Sequence, residues 1–327
     1  MRRDNSRRRR GGNWLILAVV LALGAGIWWY CGRQAEESAD EQQMILLRHS
    51  AEGTTEEIAL EDALVGFVAA EMPASYAEAA LQAQAVAARS FVMSRYLADG
   101  EVCDDTAHCL AYLDEDARRQ RWGLGFAANE EKIRAAVVST AGQVLLRDGE
   151  PVAAYFHASC GGMTESMKAV WGGTEPYPAA ECYWDGGAAD GQARFLTRAE
   201  MAELLELDEV SLPLLCVTAR SASGRVREVS CGSRHWSGSE FRSLLGLSST
   251  NFNWLNTAEG FLFSVWGHGH GVGMCQRGAG GMAAAGYDYR GILQVYYGGC
   301  TVGMASEGED TDTDTDTDTD TAGSGQD

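Results

Sequence analysis

The feature that most constrains the fold is an alanine-rich run at positions 77–97, AEAALQAQAVAARSFVMSRYL. Alanine has the highest helix propensity of all residues, and the run contains neither glycine nor proline. We therefore predict a long helix from Tyr76 to about Leu97. A shorter helix over 61–72 is predicted before it, because Pro73 disfavours helical geometry at the preceding residue.

Local patterns predict the start of the longer helix and the elements that follow. Ser75, with Glu78 three residues later, indicates a capping box. From Ala135 onward the sequence consists of short β-like runs, and Thr197 and Ser237 are predicted to cap two short helices. The predicted strands lie at 142–146, 152–158, 216–219, 225–229 and 261–266, and the short helices at 198–205, 238–245 and 292–297. This order of elements predicts an α+β fold, with a helical N-terminal part packed on mixed β-structure.

The N-terminal part of the chain differs from the predicted domain, which covers 58–303. Residues 1–13 are basic, and the run 14–30, WLILAVVLALGAGIWWY, has no charged residue. Its length and aromatic edges predict an uncleaved membrane anchor, with a cleaved signal peptide as the alternative. The arginines before it predict a single-pass protein with a cytoplasmic N-terminus and an extracytoplasmic domain. Residues 31–57 are mostly polar and predict a linker with one short strand at Met44–Leu47.

The C-terminal segment, 304–327, contains a repeated Thr-Asp pair. It can bury little apolar surface and its charges repel one another, so we predict disorder, with calcium binding as the alternative. The whole chain has a net charge of −20. Nucleic acid is therefore not expected as a partner, because its phosphates would be repelled.

One acidic residue lies on an apolar face of the shorter helix. Four residues share that face at helical spacing: Leu64, Phe67, Val68 and Glu71. Burial there would raise the pKa of Glu71, as suits a general acid near neutral pH. The alternative is that the apolar pattern ends at Val68 and that Glu71 faces solvent beside Pro73.

Five blocks of sequence together carry a resemblance to known proteins. They are VGFVAAEMPASYAEAALQAQAVAARSF at 65–91, CDDTAHC at 103–109, AVVSTAGQVLLRDGEPVAAYFHASCGGMTES at 136–166, VWGG at 170–173 and GHGVGMCQRGAGGMAAAGYDYRGILQVYYGGCTV at 269–302. In content and order they resemble the stage II sporulation protein D family, also called the amidase-enhancer domain. An N-terminal membrane anchor also agrees with that family.

The resemblance implies a membrane-anchored lytic transglycosylase that cleaves peptidoglycan strands already stripped of peptide. The bond broken joins N-acetylmuramic acid to N-acetylglucosamine, and the C6 hydroxyl of the sugar attacks to give a 1,6-anhydro end. A second carboxylate is then not required as it is in ordinary glycosidases. The family's catalytic glutamate, in its Ala-Glu-Met-Pro motif, corresponds to Glu71.

The resemblance also implies a substrate-binding role for four more residues: Gln84, Arg89, His270 and Gln276. Gln84 and Arg89 would line the sugar groove, where amide and guanidinium groups can hydrogen-bond hydroxyls; exposed helix positions without a role are the alternative. His270 and Gln276 lie in the glycine-rich stretch and would orient the substrate near Glu71, with structural hydrogen bonds as the alternative. Glycines there allow the backbone to approach a substrate closely.

Three possible metal ligands, Cys103, His108 and Cys109, fall within seven residues and are close enough to bind one Zn²⁺. Some members of the family have such a zinc next to the groove and others lack the cysteines, which implies a structural or shaping role. The acid chemistry itself requires no metal. A Cys103–Cys109 disulfide is the alternative.

Two further cysteines depart from the family pattern. Cys160 and Cys275 stand at positions where the family commonly has serine, and an even set of extracytoplasmic cysteines favours disulfides. The pairings we expect are Cys160–Cys182, Cys216–Cys231 and Cys275–Cys300. A Cys275 nucleophile with His270 as its base is the alternative, although the sequence supplies no orienting partner for it.

Two other functions compete with the transglycosylase. The first is a non-catalytic module that binds glycan and enhances an amidase. The second is a metal-dependent peptidase built on His268, His270 and the Cys103–Cys109 segment, which lacks the helical two-histidine spacing of such enzymes. The resemblance implies action in sporulation, during engulfment and together with a cell-wall amidase, with a vegetative role in wall remodelling as the alternative.

Overall fold

The computed structural model describes residues 43–186 and 191–305, which form an α+β fold as predicted. The predicted anchor, 14–30, lies outside the described residues, and so does the acidic tail from residue 306 onward. Within the described ranges, no helix combines the length and the apolar character needed to cross a membrane.

The element boundaries are as follows. The helices are α1 Leu60–Glu71, α2 Glu78–Asp99, α3 Glu115–Trp122, α4 Phe126–Val138, α5 Met167–Val170, α6 Arg198–Leu205, α7 Gly238–Leu244, α8 Gln276–Ala284 and α9 Tyr289–Tyr296. The strands are β1 Met44–His49, β2 Thr54–Ala59, β3 Val102–Cys103, β4 Gln143–Arg147, β5 Glu150–Pro151, β6 Phe156–His157, β7 Gln192–Thr197, β8 Cys216–Arg220, β9 Val226–Cys231, β10 Arg234–Ser237, β11 Phe252–Asn256, β12 Gly260–Val265, β13 Met274–Cys275 and β14 Thr301–Met304.

The two predicted N-terminal helices are confirmed, and Pro73 separates them as expected. Met72 has an extended backbone (φ −129°, ψ 132°), as the residue before a proline prefers. The predicted capping box at Ser75 is wrong: α2 begins after Ala77, and no side chain caps it. Instead, the Tyr76 N–H closes a turn onto the Pro73 carbonyl at 3.1 Å, so the helix starts two residues later than the pattern indicated.

Helix α2 is the centre of the main hydrophobic core. It packs against α1, α4, α8, α9 and β4. Most of its residues from Ala80 to Met93 are buried, and many of them are alanine. A helix that is apolar on all sides belongs in the interior of a domain, and small side chains let several elements approach its axis. The alanine-rich run therefore positions four helices and β4 around one axis.

The predicted linker over 31–57 is wrong for its second half, because β1 and β2 form an antiparallel hairpin there. In β1, Ile45 and Leu47 alternate inward and are completely buried, so the strand predicted at Met44–Leu47 is confirmed. Strand β2 begins TTEE and is almost wholly exposed. A strand whose residues face solvent needs no apolar alternation, and this explains why its sequence is typical of a linker.

Residues 192–265 form a second hydrophobic core, inserted between segments of the main one. Two antiparallel sheets, ordered β10-β9-β8 and β11-β12-β7, enclose it together with α6 and α7. Thr197 and Ser237 cap these two helices with complete capping boxes, as predicted. Phe241 packs on four aromatic side chains at centroid distances of 5.7–6.4 Å, among them Phe252 and Phe263. After β12 the chain leaves this insertion and returns to the main core at β13.

Candidate functional site

A groove of about 650 Å³ lies at the C-terminal end of α1. It is lined by residues 106–111, strand β6 with its flanking residues, Trp171 and the loop 268–270, and also by Glu71, two residues of α2 and Gln276. Glu71, Arg95, His108, Cys109, His270 and Gln276 are among the polar side chains on its surface. Most of these residues come from blocks that are distant in sequence, so the fold alone brings them together.

Glu71 is the last residue of α1 and is half-buried at the groove surface. The apolar face predicted from spacing is confirmed, because Leu64, Phe67 and Val68 are completely buried on the same helix. Burial raises the pKa of the Glu71 carboxyl, and the Ala111 N–H, which donates to Oε1 at 3.1 Å, opposes this only in part. The site therefore favours a protonated carboxyl group that can act as an acid.

Gln276 connects the glycine-rich stretch to the acid. Its Nε2 donates to the backbone carbonyl of Glu71 at 3.1 Å and to Oε1 of Gln84 at 3.2 Å. Gln276 lines the groove, whereas Gln84 is completely buried behind it. The expectation that Gln84 lines the groove is therefore wrong. Gln84 instead supports Gln276, and Gln276 positions the end of α1.

The prediction that Arg89 lines the groove is also wrong. Its side chain is completely buried and forms an ion pair with Glu61, at 2.6 Å from Nη2 to Oε2. It also donates to the carbonyls of Val137 and Gln143, at 3.2 and 3.0 Å. Arg89 lies five residues after Gln84, so helical geometry turns it to another side of α2. There it ties α1, α4 and β4 together.

His270 lies in the groove wall, but its ring is held by backbone hydrogen bonds within the protein. Nδ1 accepts from the Val272 N–H at 3.0 Å, and the Phe156 backbone bonds the ring as well. Burial lowers the pKa of His270 to about 4, so the ring is neutral near pH 7. This arrangement favours the structural alternative for its nitrogens and leaves the ring face to the groove.

Sequence reasoning missed the aromatic wall beside His270. Trp171 is 51% exposed and packs on the Tyr155 ring at 4.7 Å and on His270 at 5.0 Å between centroids. An exposed ring face in the wall of a groove offers apolar surface on which a ligand can pack. The VWGG block, 170–173, contained the signal, because a tryptophan followed by two glycines places an aromatic ring in a turn.

The glycines of the stretch 267–273 allow close backbone packing, as expected. Gly273 has φ 71°, and a Cβ there would lie 1.9 Å from the Tyr155 carbonyl oxygen. Gly269 has φ 103°, and its Cβ would lie 3.0 Å from His157 Cβ. Only glycine fits both positions without strain. The stretch can therefore lie directly on β6 and form one wall of the groove.

The three predicted metal ligands lie together at the other side of the groove. His108 Nδ1 is 3.4 Å from Cys103 Sγ and 3.2 Å from Cys109 Sγ. All three donor atoms lie within 4.8 Å of one another. Two sulfur atoms and one imidazole nitrogen in this arrangement are a suitable donor set for Zn²⁺. The neighbouring carboxylate of Asp104 accepts a hydrogen bond from the Ser50 N–H and lies outside this cluster.

The described cysteines form no disulfide, so none of the predicted pairs is present. Cys216 lies opposite Ser230 in the β8–β9 pair, and Cys231, one residue further along, points to the other face of the sheet. Cys275 lies near Asp185, at 3.9 Å, while Cys300 lies near the Pro176 carbonyl. The latter pair is therefore also separated in space.

Comparison with known proteins identifies relatives of this chain. A family model described as "Stage II sporulation protein" matches residues 48–146, which include Glu71 and the Cys103–Cys109 segment. Stage II sporulation protein D of Bacillus subtilis (strain 168) is 31% identical over 266 residues, covering 78% of this chain and 78% of the relative. The protein of the same name from Bacillus amyloliquefaciens is 31% identical over 262 residues, covering 77% and 76%. The amidase enhancer of Bacillus subtilis (strain 168) is 28% identical over 296 residues, covering 73% of this chain but 40% of the relative.

Proposed function

The chain belongs to the stage II sporulation protein D family, and from that premise we propose that it is a lytic transglycosylase acting on peptidoglycan strands stripped of peptide. One observation carries the proposal. Among the described residues that line the groove, Glu71 is the single carboxylic acid. Ordinary glycosidases need two carboxyl groups, one as acid and one as base or nucleophile. A single acid suits a reaction in which the sugar supplies its own nucleophile.

In this mechanism Glu71 acts first as acid and then as base. The protonated carboxyl gives its proton to the glycosidic oxygen as the bond from the anomeric carbon to that oxygen breaks. The resulting carboxylate takes the proton of the C6 hydroxyl as its oxygen bonds to the anomeric carbon, which yields the 1,6-anhydro end. Because the Ala111 N–H occupies Oε1, the transferable proton belongs on Oε2. The raised pKa shifts the Glu71 carboxyl toward the protonated form that the first step requires.

The groove suits a sugar substrate in size and surface. Its volume of about 650 Å³ falls in the usual range of ligand pockets. Trp171 and Tyr155 offer apolar faces on which sugar rings can stack. Arg95 supplies hydrogen-bond donors, and the Oε1 of Gln276 supplies an acceptor, because both Nε2 protons of Gln276 are already bonded within the protein. We assign Trp171 and Gln276 to substrate binding, and His270 to the support of the aromatic wall.

We further propose that Cys103, His108 and Cys109 bind a structural Zn²⁺. The donor set and the spacing of the donor atoms fit that ion. Ala111, whose N–H bonds Glu71, follows Cys109 by two residues. A metal at this cluster would therefore fix the segment that positions the acid, while the proton transfers remain with Glu71.

The decisive experiment uses purified glycan strands without peptide and mass spectrometry of the products. The wild type should release fragments with 1,6-anhydromuramyl ends. Glu71→Gln should lower the rate by about 10²–10⁴-fold, the usual contribution of a general acid. Glu131→Gln, an exposed site on α4, is the matched control and should keep full activity. Intact strands after incubation with the wild type would refute the enzymatic proposal.

A non-catalytic role is the second candidate, favoured by the relative named amidase enhancer. In that case the groove binds glycan and the protein stimulates a cell-wall amidase. The same glycan strands separate the two candidates, because a binding module leaves them uncut in wild type and in Glu71→Gln alike. Stimulation of an amidase by Glu71→Gln at the wild-type level would then identify the enhancer role.

The setting we propose is sporulation, at the cell membrane, with the catalytic domain outside the cytoplasm and an amidase supplying the peptide-free strands. The apolar segment 14–30 is the proposed anchor. A role in vegetative wall remodelling is the alternative. Time-resolved expression and the engulfment phenotype of a deletion strain distinguish them, since a vegetative paralogue would leave engulfment unchanged.

A further inference from the structure

Away from the Cys103–Cys109 segment, a second group of potential metal ligands lies buried in the main core. We call it the Cys3Asp cluster, and it consists of Cys160, Cys182, Asp185 and Cys275. Its members come from three separate segments: the loop after β6, the loop before residue 187, and the end of β13, where Cys275 caps the start of α8. All four are at most 2% exposed. The groove chemistry uses none of them.

The spacing of the four donor atoms matches a single tetrahedral ion. With Zn–S bonds of about 2.3 Å, tetrahedral geometry places neighbouring sulfur atoms about 3.8 Å apart. In the cluster, Asp185 Oδ2 lies 3.0 Å from Cys160 Sγ and 3.9 Å from Cys275 Sγ. All donor atoms lie within 4.8 Å of one another. Small side-chain movements would bring them to the bonding geometry.

Hydrogen bonds from the surrounding chain are directed at the sulfur and oxygen atoms. The Gly278 N–H donates to Cys275 Sγ at 3.3 Å, and the Gly161 N–H donates to Asp185 Oδ2 at 2.7 Å. Tyr296 Oη lies 3.1 Å from Cys182 Sγ. Such outer bonds stabilise ionised ligands and fix their orientation. A Cβ at position 278 would lie 2.5 Å from Cys182 Sγ, so glycine is required for this approach.

A buried cation lies next to the cluster. Arg225 is 2% exposed and donates from Nη2 to the Cys160 carbonyl at 2.7 Å. Its Nε and Nη1 are buried and have no hydrogen-bond partner among the described residues. Three thiolates and a carboxylate around Zn²⁺ would have a net charge of −2. A buried guanidinium compensates part of that charge, which otherwise opposes burial.

We propose that the Cys3Asp cluster binds one structural Zn²⁺, separate from the groove. Thiolate ligands select Zn²⁺ over harder cations, and four protein ligands are typical of a structural site. A disulfide would use two of the three thiols and leave the third beside the buried Asp185. The ion joins the three segments. Because Cys275 directly precedes Gln276, the ion also fixes the position of this groove residue.

The test measures metal content and coordination in the full-length chain. His108→Ala/Cys109→Ser serves as background, because it removes two donors at the groove surface and leaves the Cys3Asp cluster intact. Elemental analysis of this folded variant should give about one zinc per chain, and X-ray absorption should show three sulfur neighbours at about 2.3 Å and one oxygen at about 2.0–2.2 Å. Cys216→Ser, added to the background, is the control and should leave the zinc unchanged.

Adding Asp185→Asn should lower zinc affinity by more than tenfold, because an amide binds Zn²⁺ more weakly than a carboxylate. If that variant does not fold, the background itself still decides the matter. Alkylation without reduction, followed by mass spectrometry, should find all three thiols protected until a chelator is added. A folded background without zinc, or one in which two of the three cysteines are joined by a disulfide, would overturn the proposal.

Discussion

Glu71 is the residue whose environment determines the chemistry of the groove. One neighbour, Ala111, bonds its carboxyl, and another, Gln276, bonds its backbone carbonyl. Its pKa is raised mainly because burial penalises the charged form. The same penalty has a consequence for folding that can be measured without any substrate.

We predict that Glu71→Gln stabilises the protein near pH 7 and has no effect near pH 4. Because the folded-state pKa of Glu71 lies above its unfolded value, the stability associated with its neutral form is complete at low pH and is lost as the pH rises. Glutamine remains neutral and can still accept from Ala111. Thermal denaturation across this pH range should show the mutant's advantage increasing with pH. A constant difference would contradict the raised pKa.

Arg89 permits a test of its structural role. We predict that Arg89→Met destabilises the protein by about 3 kcal/mol, because it leaves Glu61 and two buried carbonyls without their partner. The Michaelis constant for glycan should not change where the variant is folded. Arg134→Met is the control: its pair with Asp62 is exposed and contributes about 0–1 kcal/mol. Weakened glycan binding in folded Arg89→Met would restore its groove assignment.

At the scale of elements, α1 and the segment after the Cys103–Cys109 block touch through a glycine. Gly66 packs under the Tyr112 ring, and its carbonyl accepts from the Leu113 N–H at 3.4 Å. A Cβ at this position would lie 2.3 Å from Tyr112 Cε2 and 2.8 Å from the Leu113 carbonyl oxygen. The contact therefore determines how closely Ala111 approaches Glu71.

We predict that Gly66→Ala destabilises the protein by about 1–3 kcal/mol through overpacking. By displacing residues 111–113 it should also weaken the hydrogen bond from the Ala111 N–H. Because that bond lowers the pKa of Glu71, its loss should raise the pKa further. The basic limb of the pH–rate profile should then move to higher pH. Gly125→Ala, where a Cβ meets only Asn129 at 3.4 Å, is the control. Wild-type stability in Gly66→Ala would show that Tyr112 moves away freely.

The elements that could be predicted from sequence are those specified by neighbouring residues. The alanine-rich run, Pro73 and the capping boxes at Thr197 and Ser237 act within a few positions, and each produced the expected element or boundary. Strand β2 could not be predicted, because its pairing with β1 determines its structure and its exposed side chains need no apolar pattern.

For the site too, local sequence patterns predicted only those features that neighbouring residues specify. Helical spacing placed Glu71 on the apolar face correctly, and the short Cys103–Cys109 block brings its donors together. The buried position of Arg89 depends on α4 and β4, which no local pattern specifies. Resemblance identifies a motif's residues without stating which side of the helix faces the groove.

At the scale of the whole molecule, the two hydrophobic cores are the main organisational feature. The inserted core over 192–265 has its own sheets, helices and aromatic cluster around Phe241. Its polar connection to the main core includes the bond from Arg225 to the Cys160 carbonyl. Separate cores of this kind commonly open as separate cooperative units.

We predict that Phe241→Ala loosens the inserted core without opening α2. Removing this completely buried ring costs about 3–5 kcal/mol. Amide hydrogen exchange in 192–265 should accelerate by roughly two to three orders of magnitude, while exchange in α2 stays unchanged. Phe195→Ala, at a ring that is 48% exposed, is the matched control. Equal acceleration in α2 would show that the molecule unfolds as one unit.

The bonds from Gln276 also determine when the groove is first complete during synthesis. Glu71 and Gln276 are separated by 205 positions. The side chain of Gln276 nevertheless bonds both the backbone carbonyl of Glu71 and the side-chain carbonyl of Gln84. A ribosome that has completed α2 has already produced the acid but not the glycine-rich wall that faces it. The nascent chain therefore holds no complete groove until its last helices emerge. If the protein has the proposed transglycosylase activity, that activity cannot arise before this point, and no separate inhibitor is needed during synthesis.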